Sequence, residues 1–255
     1  MTGADAHVTV RLLGPPTVRR GDSQTPPPDG VQARVVLAVL ALAHPDPVDV
    51  ETLAEAVWGD KLPEAWRPAL RGLVSQVRAT LAHEPLGTGV TLGPAGYQMV
   101  AGGQLEVDVH QAARATVLAE MATEDGEVDQ AVAHAAVVTE LTERPFIPSG
   151  DGAWVRAQRV EVQRLRVRAL HVLARAHLAR EHPARAVRAA QEALELRPTQ
   201  ESSHRLLMEC LAEAGETGEA ARAYDRCKRM LVDELGIGPA RQTTALLEQI
   251  LRATD

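Results

Sequence analysis

A repeated helix-turn-helix pattern in the second half of the chain constrains its fold more than any other feature. The segment Gly126–Ala131 (GEVDQA) recurs as Gly215–Ala220 (GETGEA), and Glu181–Ala186 (EHPARA) has the same role between them. Ala186 and Ala220 are 34 residues apart, and small residues stand where paired helices would cross. A 34-residue period of this kind is typical of tetratricopeptide repeats. The alternative is a set of ordinary amphipathic helices that align by chance.

The first hundred residues have a different pattern, in which strand and helix signals are mixed. Two short strands, three helical segments and a hairpin follow one another at His7–Leu13, Thr17–Arg20, Val31–Ala43, Glu51–Trp58, Pro63 to about Ala82 before Pro85, and Gly89–Val100. The hairpin turns at Gly93–Gly96, between two runs that read as strands. This order is the layout of a winged helix-turn-helix, in which the third helix enters the major groove of DNA and the hairpin contacts the backbone.

Together the two patterns predict a mainly α protein with two domains. Residues 1–104 are predicted to form an α+β winged helix-turn-helix, and residues 105–255 an all-α tetratricopeptide-like helical repeat domain. Hydrophobic residues make up 45% of the chain and charged residues 24%, close to the averages of globular proteins. The longest apolar stretch, Val35–Ala43, has nine residues, against the roughly 18 that a membrane span needs. The protein is therefore predicted to be cytoplasmic, with no membrane partner.

The third helix carries most of the residues predicted to contact DNA. Arg67, Arg71 and Arg78 fall within roughly 40° of one another at 100° per residue, and Ser75 lies alongside them. Guanidinium groups on one exposed stripe contact phosphates and guanine edges, although most such stripes are ordinary solvated helix faces. The full predicted DNA-binding set is Arg67, Arg71, Ser75 and Arg78 on this helix, with Thr91 and Tyr97 in the hairpin.

The charge balance of the same region opposes this interpretation. Residues 1–108 contain eight basic and twelve acidic side chains, a net charge of −4, and the whole chain carries −7. A DNA-binding domain normally has a basic surface, because neutralisation of phosphates supplies much of its affinity. Asp46, Asp49 and Glu51 also surround the start of the second helix. A second hypothesis therefore stays open, in which the winged helix is degenerate and the repeats make the protein an interaction module.

Sequence signals for catalysis and metal binding are missing. The chain has no GxxxxGK[ST] phosphate loop, no GxSxG elbow and no HExxH zinc pair. Its two cysteines, Cys210 and Cys227, fall in helical pattern and are expected to be small core residues. The nine histidines are scattered, and the pair His171 and His177 face apart on one helix. The protein is therefore predicted not to be an enzyme and to need neither a cofactor nor a metal.

Several longer segments resemble one known family. Leu53–Leu81, with Gly93–Met99 and Leu105–Gln111, resembles the OmpR-type winged-helix domain of the Streptomyces antibiotic regulatory proteins. Arg144–Arg159 and Leu206–Pro239, with the closing ALLEQIL, are similar to the bacterial transcriptional activation domain of that family. The resemblance covers nearly the whole chain from Val8 and is strongest over residues 200–240.

The resemblance implies a function in transcription. It predicts an activator of nearby genes, often a secondary-metabolite cluster, that binds double-stranded DNA at direct repeats in the promoter. RNA polymerase is the expected protein partner, and tandem sites favour self-association of two copies on DNA. Because the sequence given ends at Asp255, the resemblance predicts a short-form member without an ATPase domain.

Overall fold

The computed structural model of the protein describes residues 7–82 and 87–253, which contain six strands and ten helices. They form two compact units. The first unit contains the chain up to Ala113 together with Leu141–Val162, and the second contains Arg114–Glu140 together with the chain from Gln163 onward. No helix of the described residues is long and apolar enough to cross a membrane.

The elements up to residue 107 follow the predicted order of strands, three helices and a hairpin. In chain order they are β1 (Val8–Arg11), β2 (Thr17–Arg20), β3 (Ser23–Gln24), α1 (Val31–Ala43), α2 (Val50–Trp58), α3 (Trp66–Leu81), β4 (Thr88–Gly93), β5 (Gly96–Ala101) and β6 (Leu105–Val107). The helix predicted from Pro63 therefore begins three residues later, and Pro85 lies outside the described residues.

Helices make up the rest of the chain. They are α4 (Asp108–Glu124), α5 (Val128–Leu141), α6 (Ala153–Ala179), α7 (Pro183–Leu196), α8 (Glu201–Glu213), α9 (Thr217–Leu235) and α10 (Arg241–Arg252). The prediction of a mainly α protein with a helical second half is confirmed.

A small mixed sheet forms one layer of the first unit, in the strand order β3-β2-β1-β6. β1 pairs antiparallel with β2, so that Val8 faces Arg20, and parallel with β6, so that Val8 also faces Leu105. Alternate residues Val8 and Val10 point into the core, as expected for a sheet with one buried face. The core beneath them includes most of α1, which is apolar on nearly all sides and correspondingly buried.

Asp108 joins the sheet to the start of α4. Its carboxylate accepts hydrogen bonds from the backbone N–H groups of Leu12 and Leu13 at 2.9 Å, and the side chain is 4% exposed. Burial raises the pKa of the Asp108 carboxyl, and the backbone donors oppose that shift by favouring the charged form. The segment LEVDVHQ thus supplies the strand β6 and, through Asp108, buried hydrogen bonds that hold the start of α4 to the end of β1.

The segment Leu141–Val162 belongs to the core of the first unit, although it is distant in sequence. Phe146 and Ile147 are fully buried there, and the backbone N–H of Ile147 donates to the carbonyl of Leu12 at 3.0 Å. Arg159 on α6 donates to the carbonyl oxygens of Phe146, Ile147 and Gly150 at 2.6–2.9 Å. The two compact units are not separated by a single cut after residue 104. The predicted division into domains of residues 1–104 and 105–255 stays a prediction.

The three predicted repeat turns adopt the same conformation. Gly126, Glu181 and Gly215 all have positive φ, at 76°, 58° and 77°. The residue after each turn donates its backbone N–H to the last turn of the preceding helix at 2.8 Å, in the pairs Glu127–Ala122, His182–His177 and Glu216–Leu211.

Five residues after each of these turn residues, an alanine is buried where the paired helices cross. Ala131, Ala186 and Ala220 are each at most 1% exposed. The equivalence of GEVDQA, EHPARA and GETGEA is therefore confirmed.

The last helix closes the repeat array through polar contacts. The carboxylate of Glu201 accepts from the backbone N–H of Ala240 at 2.7 Å and from the Thr243 hydroxyl at 2.5 Å, at the start of α10. Cys210 and Cys227 are fully buried in this unit, and burial raises their pKa to about 12 and about 11. Both thiols are core residues, as predicted.

Candidate nucleic-acid interface

The candidate interface is the exposed face of α3. Its opposite face packs into the core through Leu70, Val74, Val77 and Leu81, each at most 2% exposed. Pro68 lies in the first turn, where a missing backbone N–H breaks no helical hydrogen bond. Because the buried stripe fixes the rotation of the helix about its axis, the residues on the other side are held towards solvent.

Arginines dominate that exposed face. Arg67, Arg71 and Arg78 are exposed together with Ser75 and Gln76, and the 16 residues of α3 include no aspartate or glutamate. The first part of the chain is acidic overall, yet this helix carries three positive charges and no negative one. The local charge of the helix is therefore suited to phosphate.

Arg71 is the arginine most available to a ligand. Among the described residues its guanidinium has no hydrogen-bond or ionic partner, and it lies in the middle of the exposed face. Ser75, one turn further on, donates its hydroxyl proton to the Arg71 carbonyl at 2.9 Å. The Ser75 oxygen remains an acceptor, and its donor is used within the helix.

Arg67 is held by its own chain. One guanidinium nitrogen forms an ion pair with the Glu51 carboxylate on α2 at 2.9 Å, and the guanidinium stacks 4.4 Å from the centre of the Trp66 ring. Both members of the ion pair are more than half exposed, at 64% and 60%. Such exposed pairs are weak, of about 0–1 kcal/mol, so a phosphate is able to replace Glu51.

Arg78 joins α3 to the hairpin. Its Nε donates to the carbonyl oxygen of Val90 on β4 at 2.9 Å. The two terminal nitrogens carry further N–H donors, because a guanidinium has five. Arg78 therefore positions β4 beside α3 while its outer end faces solvent.

Two backbone hydrogen bonds also hold the β4–β5 hairpin to the loop before α2. Val48 and Tyr97 exchange hydrogen bonds at 2.7 and 2.8 Å, which adds one residue of a third strand to the β4–β5 pair. Gly96 lies at φ 121°, and a Cβ there would overlap the carbonyl oxygen of Val48. Only glycine fits this position, so the sequence Gly93–Gly96 specifies both the turn and the docking of the hairpin.

The two hairpin residues of the predicted DNA-binding set have opposite environments. Thr91 is exposed on β4, opposite Gln98. Tyr97 is 4% exposed and packs in the hydrophobic core. The prediction that Tyr97 contacts DNA is not supported by its position, because its side chain is almost entirely buried. Tyr97 instead anchors the hairpin.

Acidic side chains cluster at the beginning of α2, beside Arg67. Asp49 is the N-cap of α2, and its carboxylate accepts from the Thr52 backbone N–H at 2.8 Å. Hydrogen bonding from the Thr52 side chain, and then from the Thr52 backbone N–H, keeps the pKa of Asp49 below its usual value. Asp49 therefore caps the N-terminus of α2. The contact of Glu51 with Arg67 was not foreseeable, because no local spacing rule connects residues 16 positions apart on two helices.

The described residues include no group of three or more His, Cys, Asp or Glu side chains arranged to hold a metal ion. The exposed face of α3 offers guanidinium groups and a hydroxyl, and the β4–β5 hairpin lies beside it. These groups suit an extended anionic ligand. The arrangement therefore defines a candidate surface for a nucleic-acid backbone and base edges.

Comparison with known proteins identifies the family. Residues 107–251 match the family described as "Bacterial transcriptional activator domain". This match covers more than half of the chain, and the chain belongs to that family. The resemblance to the Streptomyces antibiotic regulatory proteins is confirmed.

Two curated relatives align with nearly the whole chain. The regulatory protein AfsR of Streptomyces coelicolor is 28% identical over 243 residues, which are 95% of this chain and 24% of AfsR. The transcriptional regulatory protein EmbR of Mycobacterium tuberculosis is 29% identical over 245 residues, 94% of this chain and 62% of EmbR. The chain thus spans about a quarter of AfsR and less than two thirds of EmbR.

A solved structure shows the same fold. Mycobacterium tuberculosis EmbR, in complex with a low-affinity phosphopeptide, superposes with a TM-score of 0.84 at 23% sequence identity. The superposition covers 98% of this chain and 66% of EmbR.

Proposed function

We propose that the protein is a DNA-binding transcriptional regulator that activates genes of a secondary-metabolite cluster. Residues 31–101 act as a winged helix-turn-helix, with α3 in the major groove and the β4–β5 hairpin along the adjacent backbone. The observation that carries this proposal is the exposed face of α3, which has three arginines and no acidic residue within an otherwise acidic region.

Each arginine has a distinct task in this proposal. Arg71, in the middle of the helix and without a partner among the described residues, reads a guanine edge through two parallel hydrogen bonds. Arg67 exchanges Glu51 for a phosphate, and Arg78 contacts a phosphate from the junction with the hairpin. Ser75 and Thr91 contribute hydroxyls at the same face, and Tyr97 positions the hairpin without touching DNA.

The family supports the part of the proposal that concerns transcription. The repeat unit matches a domain named for transcriptional activation, and the relatives AfsR and EmbR are named as regulators. RNA polymerase is the proposed partner of the repeat unit. Direct repeats in the promoter would place two copies side by side on DNA.

The test is binding to duplexes from the promoters next to the chain's own gene, measured by fluorescence anisotropy. The wild-type protein should bind one duplex in preference to a scrambled sequence, and Arg71→Ala should remove that preference. Arg252→Ala changes another exposed arginine, on α10 of the second unit, and serves as the control. If Arg71→Ala binds each duplex with the same affinity as the wild type, direct readout of the base sequence by Arg71 is refuted.

The ion pair between Arg67 and Glu51 favours one competing function. If the acidic side chains prevent DNA binding, the protein acts through its repeats as an interaction module. A salt titration separates the two functions, because log K falls by roughly 0.9 per phosphate contact for each unit of log salt. We expect about three to five contacts per protomer, as the whole of residues 1–108 has eight basic side chains. No retention on DNA or heparin at low salt would favour the interaction module.

A further inference from the structure

The three equivalent repeat turns share one backbone conformation but differ in charge. Over ten equivalent positions, residues 124–133 contain four acidic and no basic side chains, residues 179–188 three basic and one acidic, and residues 213–222 three acidic and one basic. With histidine neutral, the net charges are −4, +2 and −2. The conformation of the turns does not require this contrast, so the positive charge of the middle turn is a separate feature of the surface.

The basic side chains of the middle turn lie close together. Arg180, His182, Arg185 and Arg188, here called the basic turn, belong to the connection between α6 and α7 and to the first two turns of α7. The last three are spaced three residues apart, so they are neighbours on the helix surface, and all three are exposed. Glu181 is the one acidic residue within this stretch of the sequence.

The positive charge of the basic turn is only partly neutralised within the chain. Arg180 donates to the carboxylate of Asp129 in the first turn, which is 93% exposed. Arg185 and Arg188 have no hydrogen-bond or ionic partner among the described residues. Burial, and then the nearby charges of Arg185 and Arg180, lower the pKa of His177 at the end of α6. The surface thus has a positive potential that an anion would neutralise.

The acidic turns on either side limit which anion fits. α5 packs against α6, and α7 against α8, so the middle turn lies between the first and the third. Both neighbours present exposed carboxylates, on Glu124, Asp125, Glu127, Glu213 and Glu216. These would repel a long polyanion, such as a DNA backbone, that continued past the basic turn. A short group of carboxylates with basic side chains on both sides avoids that repulsion.

We propose that the basic turn binds a short acidic segment of a partner protein, with two or three consecutive Asp or Glu side chains between basic residues. Arg185 and Arg188 donate to the carboxylates of the partner, as Arg180 already does to Asp129. The basic residues of the partner face the two acidic turns. The proposal rests on the part of the proposed function that gives the repeat unit a protein partner, and it does not depend on DNA binding by α3.

Fluorescence anisotropy with two labelled peptides and the full chain tests the proposal, at about 20 mM salt, where surface charges are weakly screened. The peptide KKEEEKK has the complementary order of charges, and KEKEKEK has the same composition in alternating order. The wild type should bind KKEEEKK about threefold more tightly than KEKEKEK, because exposed ion pairs are individually weak. Arg185→Glu/Arg188→Glu should remove this preference and weaken the binding of KKEEEKK about tenfold.

Lys228→Glu/Arg229→Glu is the matched control, because it makes the same change of net charge at two exposed side chains of α9. It should keep the preference of the wild type. The variant of the basic turn should keep its circular dichroism spectrum, since glutamate is favourable in the first turn of a helix. Equal binding of both peptides by the wild type, or an equal loss of binding in the two double variants, would overturn the proposal.

Promoter DNA and purified RNA polymerase separate this inference from the proposed function. If the wild type binds no promoter duplex but distinguishes the two peptides, DNA binding by α3 is wrong and the inference stands. If Arg185→Glu/Arg188→Glu loses promoter binding while its peptide binding is unchanged, the basic turn contacts DNA and the inference is overturned. Retention of the polymerase by the wild type and the control, but not by the variant of the basic turn, would place the acidic segment on the polymerase.

Discussion

Two helices of this protein, α3 and α6, are both rich in arginine, and the structure uses them differently. On α3 the three arginines lie on the exposed face, and Arg71 has no partner among the described residues. On α6 the arginines bond within their own unit. Arg159 donates to three carbonyl oxygens, Arg166 to Glu192 and the Thr139 carbonyl, and Arg168 to Glu120.

The comparison shows that the partners of an arginine, rather than its presence in the sequence, decide whether its guanidinium is available to a ligand. The sequence of α6 predicts a solvated helix, because its arginines spread around the helix instead of forming a stripe. That prediction favours a solvated linker helix over a second nucleic-acid site, and it does not include the structural role of these arginines. Arginines that point in different directions from one helix contact different parts of the chain. On α6, Arg159 and Arg166 bond to backbone carbonyl oxygens, and Arg168 bonds to a carboxylate.

The largest expected effect comes from removing Arg159. Arg159→Ala would remove the guanidinium donor to the carbonyl oxygens of Phe146, Ile147 and Gly150, three buried residues. The Ile147 carbonyl would keep one donor, the backbone N–H of Gly150 at 2.9 Å. Hydrogen bonds to charged groups are worth roughly 1.5–3 kcal/mol each, so we expect a loss of about 3–5 kcal/mol in the free energy of unfolding. Urea denaturation followed by tryptophan fluorescence measures it, since Trp154 contacts Phe146 at 5.7 Å between ring centroids.

Arg156→Ala is the control for that experiment. Arg156 lies one turn earlier on α6, is exposed, and donates to the carbonyl of Asp151. Its removal should cost less than about 1 kcal/mol. Equal losses in the two variants would show that the carbonyl contacts of Arg159 do not stabilise the loop.

The two helices should also differ in their response to pH. α3 has no histidine, whereas His171 on α6 is largely buried and hydrogen-bonded to Ser203 at 2.8 Å. Burial, assisted by the charge of Arg175, lowers the pKa of His171 from 6.5 to about 4. Below pH 6.5 His171 therefore binds a proton in the unfolded chain, whereas in the folded chain it stays neutral down to about pH 4.

Stability should consequently fall as pH decreases from 6.5 to 4. We expect this histidine to cost about 2–3 kcal/mol at the acid end. Urea titrations at neutral and acid pH should show a smaller difference for His171→Gln than for the wild type. His182→Gln, which alters an exposed histidine of the same unit, should keep the wild-type difference. If His171→Gln lost as much unfolding free energy between neutral and acid pH as the wild type does, the acid sensitivity would belong to other groups.

Loss of a partnerless arginine should affect binding and leave stability alone. Arg71→Ala is expected to weaken specific DNA binding by about 1–3 kcal/mol, because a bidentate contact with guanine is worth that much. Its unfolding free energy should stay within about 0.5 kcal/mol of wild type, as the side chain is exposed. Anisotropy and urea denaturation on the same preparation measure both. A large loss of stability would place Arg71 with the structural arginines of α6.

Local patterns in the sequence predicted the fold well. The repeat turns depend on a few consecutive residues, so EHPARA was matched with its glycine counterparts even though Glu181 is not a glycine. The buried side of α3 agrees with helical spacing, because Leu70 and Val74 are one turn apart. The short strands and the hairpin were marked by glycine and proline at their ends.

Long-range contacts were not predictable in the same way. Phe146 packs with the first unit more than a hundred residues away from Leu13, and no periodicity connects the two. The same reason applies to Arg67 with Glu51 and to Arg78 with Val90, which decide how far each arginine is available. For Tyr97, an aromatic residue in a hairpin suits both a core anchor and a stacking surface, and its burial follows from tertiary packing that the strand pattern does not show.

The smallest expected effect has the opposite sign and separates the two proposed functions. Glu51→Gln removes the negative charge beside Arg67 without changing the size of the side chain. An exposed ion pair contributes about 0–1 kcal/mol, so stability should hardly change, while DNA affinity should rise about two- to fivefold. Glu55→Gln, an exposed change one turn further along α2, is the matched control. If Glu51→Gln binds DNA more strongly than the wild type and Glu55→Gln does not, the ion pair weakens DNA binding at a functional surface. If neither variant nor the wild type binds DNA at low salt, relief of this charge is not enough, and the interaction module is favoured instead.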